Sequence, residues 1–158
     1  MMPKAILVGG SALAAFAVSG LGMLACFAFL GIEMRFPRDI GVPGALVLVA
    51  TASVSICAWL FSRTAAFWRQ SPLGQSLMIV AGAYPVFLIL IVVVFLLKTA
   101  LSNEAVDINA VAGASFVGMQ VAEVGAIITI VPACLAEFIV MKAVSRSIRI
   151  GQPQGAAL

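Results

Sequence analysis

Residues 5–32 run for 28 positions without a charged side chain. As a helix rising about 1.5 Å per residue, the run exceeds the ~30 Å hydrocarbon core of a bilayer, so it tilts or projects at one end. Two further blocks, 40–62 and 77–97, are also free of charge, and a fourth apolar segment, 108–141, carries Gln120, Glu123 and Glu137. Backbone in lipid must satisfy its own hydrogen bonds, which makes each block a helix. Composition agrees: 63% of the chain is apolar and 9% charged, with a mean hydropathy of +1.20. A soluble domain of 158 residues would carry about 25% charge. The expected fold is all-α, an integral membrane bundle of four transmembrane helices. Its spans are about 5–32, 40–62, 77–97 and 114–141, in one domain over residues 1–150, with a flexible tail at 151–158.

Lys4 ahead of an apolar run, with Ala17-Val18-Ser19 behind it, resembles a secretory signal. A signal core takes about 7–15 apolar residues, and this run is longer, so an uncleaved first span is expected. Four spans put both ends on one side. Lys4, Arg63, Arg69, Lys142, Arg146 and Arg149 share the face of the termini, against Arg35, Arg38 and Lys98 opposite. The positive-inside rule makes the face of the termini cytoplasmic, and a bacterial inner membrane is the expected location. The net charge of +3 is dispersed at block ends rather than gathered into a nucleic-acid footprint. Lys142, Arg146 and Arg149, at steps of four and three, are candidate contacts for anionic lipid.

The connections carry local signals. Arg63 and Arg69 flank Phe67 and Trp68, a composition suited to the headgroup region. Ser71-Pro72 reads as a helix cap followed by proline at the first helical position. Pro85 should bend the third helix, and Tyr84 beside it needs a hydroxyl partner. Small residues form stripes where helices can approach closely. These are Ser11, Ala15, Ser19, Gly22 and Cys26 in the first span, and Gly44, Thr51, Ser55 and Ala58 in the second. Gly118, Ala122, Gly125, Thr129, Ala133 and Ala136 form the third, in the last span.

Motifs for chemistry are absent: no GxSxG, phosphate-binding loop, GxGxxG after a strand, or HExxH. The chain has no histidine, and Cys26, Cys57 and Cys134 stand singly within apolar blocks. No metal, cofactor or enzymatic activity is therefore expected. Glu123 and Glu137 are fourteen residues apart, about 21 Å along one helix. Paired catalytic carboxylates act at about 5–9.5 Å.

The two carboxylates receive different expectations. Glu137 reads as an interfacial residue that reaches headgroups or pairs with Lys142. Glu123 costs about 2.5–3.5 kcal/mol to place in lipid, and with Gln120 one turn away it is the candidate site for helix association or for handling a proton or cation. The functional expectation is a non-catalytic subunit or assembly component of a larger membrane complex, partnered by another membrane protein or by itself. The alternative is a small transporter or channel component using Glu123. An interior Glu123 would favour transport; an outward one would imply a partner helix outside this chain.

Overall fold

The computed structural model describes residues 2–29, 41–101 and 108–150. Within them the chain is all-helical: α1 (Met2–Phe29), α2 (Gly41–Phe61), a single turn α3 (Ala65–Trp68), α4 (Pro72–Leu101) and α5 (Ile108–Ile150). Four of these helices are long and apolar enough to cross a membrane, over Lys4–Ala25, Pro43–Phe61, Pro72–Leu101 and Ile127–Ile148. Residues 30–32 of the first expected span, residue 40 of the second and the tail 151–158 lie outside the described residues.

The α4 start follows its sequence signals. Pro72 has no N–H to lose at the first helical position, and Ser71 Oγ accepts the Gly74 N–H at 3.2 Å. The Ser71 carbonyl takes the first helical bond, from Gln75 N–H at 2.9 Å. The helix then continues through Pro85. With 43 residues, α5 is about 64 Å long, roughly twice the hydrocarbon core. Its described stretch Ile127–Ile148 is apolar enough to cross a membrane and overlaps the expected 114–141. The helix continues past Met141 to Ile150, with Val144 still buried.

The long helices pack in a ring, α1 against α2, α2 against α4, α4 against α5, and α5 back against α1. At one end they meet in a dense apolar plug of Leu7, Cys57, Ala58, Phe67, Ile79, Ala83, Met141 and Val144. Residue numbers rise away from this plug in α1 and α4 and fall in α2 and α5, so neighbours around the ring are antiparallel. Large residues of α1 and α5 face outward in the manner of lipid-facing surface, among them Leu13, Leu21, Ile127 and Ile139. In water such patches would be a severe aggregation liability.

The connection after α2 departs from expectation. Phe67 does not lie among headgroups; it is fully buried. The chain folds α3 back under the bundle, stacking Phe67 on Phe61 with ring centroids 6.2 Å apart and setting Trp68 edge-on at 5.3 Å. Two bonds hold the turn: Trp68 Nε1–H donates to Ser62 O, and Gln75 Nε2–H to Phe67 O, each at 3.0 Å. Gly82 supports the same region, since a Cβ there would fall 2.9 Å from Phe61 Cε2. Phe67→Ala should lower stability by about 3–5 kcal/mol, the usual cost of emptying a buried aromatic site. Ile139→Ala, on the exposed face, should change stability by less than 1 kcal/mol. Denaturant titration of the detergent-solubilised protein checks both; equal effects would refute the plug.

Candidate functional site

Immediately beyond the plug the side chains become small. Ala15 and Gly22 of α1, Ala50 and Ser53 of α2, Ala83 of α4 and Ala133 of α5 all face a common space. The bulky plug holds the helix axes apart at one end, and residues this short do not refill the gap. The result is a chamber of about 460 Å³ bordered by all four long helices. Ligand cavities usually measure about 300–1,000 Å³ and are largely apolar with a few placed polar groups.

Glu137 borders this chamber on the plug side, one turn from Met141, and is only 2% exposed. Ser11 of α1, fully buried, donates its Oγ–H to Glu137 Oε2 at 2.8 Å. The helices are close enough for this short reach because Gly10 offers no side chain; a Cβ there would meet Val140 Cγ1 at 2.9 Å. The other carboxyl oxygen, Oε1, is buried and has no hydrogen-bond partner among the described residues. Leaving such a group unbonded costs about 1–3 kcal/mol, more when it is charged.

Further along the chamber, Tyr84 Oη and Thr129 Oγ1 lie 3.4 Å apart, the hydroxyl partner Tyr84 was expected to find. Thr129 is eight residues from Glu137, or about 12 Å along the helix. Gln120 and Ile128 border the chamber and are also exposed, so it opens toward that end.

Of the two carboxylates, Glu137 is the buried one and Glu123 is exposed. Glu137 does not reach the surface or pair with Lys142. Five residues on a helix turn through about 140° relative to the first, so Lys142 points elsewhere and sets Nζ 4.8 Å from the Phe138 ring centroid. Glu123 is exposed and does not border the chamber. Gln120 reaches the chamber because it is about 60° around the helix from Glu123. Lys142 and Arg146 are exposed; the Arg149 side chain lies outside the described residues.

Sequence reasoning passed over Ser11 as a ligand of the carboxyl group, although it opens the α1 small-residue stripe. Two other stripe residues behave as expected: Ala58 is buried, and Gly22 lies so close to α5 that a Cβ would meet Thr129 Cγ2 at 3.2 Å; the side chains of Cys26, Gly118, Ala122 and Gly125 lie outside the described residues. Cys57 is buried in the plug and Cys134 is half-buried, both as free thiols. Among the described residues no three His, Cys, Asp or Glu side chains are grouped to hold a metal ion. No family model, curated protein or solved structure matches the chain.

The pair should show strong coupling. Ser11→Ala alone leaves both carboxyl oxygens unbonded and should cost about 1–3 kcal/mol. Combined with Glu137→Leu, the same change should cost less than 1 kcal/mol, because nothing polar is left stranded. A double-mutant cycle by denaturant titration measures the difference; simple additivity would mean that the hydrogen bond contributes nothing.

Proposed function

We propose that this chain is a small membrane-embedded transport component, with Glu137 rather than Glu123 as its working carboxylate. The observation that carries the reading is the buried Glu137 with Oε1 unbonded at the edge of the chamber. Ionisable groups inside membrane segments are costly, and they mark proton and substrate pathways more often than they serve packing. A group retained only for structure would have both oxygens bonded. The orientation belongs to the same proposal: the basic residues near Lys4, Arg63, Arg69 and Lys142 make the plug end cytoplasmic by the positive-inside rule, in a bacterial inner membrane, with Lys142 and Arg146 near anionic headgroups.

The flux test uses proteoliposomes containing a pH-sensitive dye. Under an imposed membrane potential the protein should carry protons above the level of empty liposomes. Glu137→Gln should reduce that flux at least tenfold, and Glu123→Gln should leave it within twofold. Unchanged flux in Glu137→Gln would remove the proposed mechanism.

A second reading, a non-catalytic subunit of a larger complex, is favoured by Glu123. Its side chain faces outward, on an exposed face of α5 with Phe116, Met119 and Ile127. A partner helix there would give the carboxylate a polar contact additional to any from the described residues. Mild-detergent purification should then recover a stoichiometric membrane partner that Glu123→Leu releases. A well-behaved monomer in several detergents would eliminate the subunit reading.

A further inference from the structure

We infer that the chamber takes one hydrocarbon chain of a phospholipid, from the leaflet farther from the plug, with Gln120 at the polar end of that chain. The inference goes beyond the transport reading and uses no contact with Glu137. It rests on the bundle lying in a bilayer.

The depth of the chamber matches one leaflet. Lys4 and Arg63 bound the charge-free blocks of α1 and α2 on the plug side, where basic residues meet headgroups. The lining residues of these helices nearest the plug, Ala14 and Val54, lie ten and nine residues from those cations, about 15 and 14 Å along the axis. That is half of the ~30 Å hydrocarbon core. The lining residues farthest from the plug, Met23 and Leu46, lie nineteen and seventeen residues from the same cations, about 28 and 26 Å. On two independent helices the chamber thus runs from the bilayer midplane to just inside the far boundary. An acyl chain of the far leaflet covers the same depth, with its methyl end at the midplane.

The walls select an apolar body. Ser19 and Ser53 direct their hydroxyl hydrogens to Ala15 O and Val49 O of their own helices. Tyr84 and Thr129 face each other, and Glu137 bonds Ser11 through Oε2 while Oε1 is buried. Sugars, peptides and charged solutes would leave polar groups stranded against such walls, whereas apolar cavities stay dry and take apolar guests. Gln120 is the exposed polar residue of the lining. Thr129 packs at the level of Gly22, and Gln120 is nine residues farther from the plug, at the headgroup end. Its carboxamide N–H groups are donors for the ester and phosphate oxygens of a lipid. The source of the chain is adjacent: Ile128 both lines the chamber and is exposed, beside the strongly exposed Ile127 and Val131, so the wall is continuous with the lipid-facing surface of α5.

The test uses the unmodified protein in nanodiscs of phosphatidylcholine carrying a photoreactive diazirine on one chain, with adducts located to the residue by mass spectrometry. With the diazirine at the methyl end, Ala50 and Ser53 inside the chamber should be labelled within threefold of Ala52 and Ile56, which face outward on the same helix. With the diazirine near the ester, interior labelling should move to Met23 and Leu46. Ala50→Phe, which fills the chamber, should reduce labelling of Ser53 at least tenfold and leave Ile56 within twofold. The first two comparisons involve no variant, so the inference does not depend on Ala50→Phe folding. Adducts confined to outward residues, or interior adducts that do not move with the diazirine, would overturn the lipid assignment. Interior labelling by a water-soluble diazirine instead would make the chamber aqueous and overturn it as well. Absence of adducts at Ala52 and Ile56 would remove the bilayer placement on which the inference rests. Interior adducts without proton flux would uphold the lipid site and remove only transport; flux without interior adducts would do the reverse.

Discussion

A polar side chain that leaves water for hydrocarbon must find a hydrogen-bond partner, and this constraint orders the whole molecule. The hydroxyls inside the helices meet it locally. Thr51 bonds Val47 O, Ser53 bonds Val49 O, and Ser55 bonds Thr51 O, each one turn back along α2 at 2.7–2.8 Å. Across helices, Tyr84 meets Thr129, and at the plug Gln75 and Trp68 donate to backbone carbonyls of the α2–α4 connection. Against this background the single unbonded oxygen of Glu137 is conspicuous. Among the described residues, no other buried side-chain oxygen or nitrogen is left without a partner.

That place follows from side-chain size. The plug gathers Phe67, Ile79, Met141 and Leu7, whose bulk keeps four helices from collapsing onto one axis. One and two turns further on, the facing positions are alanine, serine and glycine, and the space stays open. Close helix contacts at Gly10 and Gly22 nevertheless bind α1 to α5 on both sides of the Ser11–Glu137 bond. These contacts hold the Glu137 carboxyl group in place at the edge of the chamber.

The helices were legible because hydrocarbon thickness sets a minimum length for an apolar run, and four runs meet it. The site was only half legible. Helix phase correctly placed Tyr84 near a hydroxyl and set Thr129 on a packed face. It read Glu137 as a surface residue because Lys142 follows it closely, whereas the side chain is buried between helices. The residues that reveal Glu137 as interior were present: Met141 and Val144 follow it at steps of four and three, and both are buried with it. Phe67 shows a different limit. A Phe-Trp pair between arginines has the composition of a headgroup anchor, and only the return of α3 against Phe61 turns it inward. Composition reports the medium a residue tolerates; tertiary packing decides which surface it meets.

Among the described residues Gln120 and Ile128 are the exposed members of the lining, and Glu137 stands on the plug side, one turn from Met141. A molecule entering from the Gln120 end therefore meets the carboxyl group last, with the aromatic plug behind it. Passage through the bundle would require the plug to give way, and its weakest attachment is α3, a helix of one turn held by two side-chain hydrogen bonds and the Phe61 stack. The bulk of α4 and α5 cannot move without breaking contacts along their whole shared length. Displacement of Phe67 disturbs one turn. If material crosses this bundle, the resistance lies at Phe67, and Glu137 is positioned to hold the cargo while that resistance is overcome.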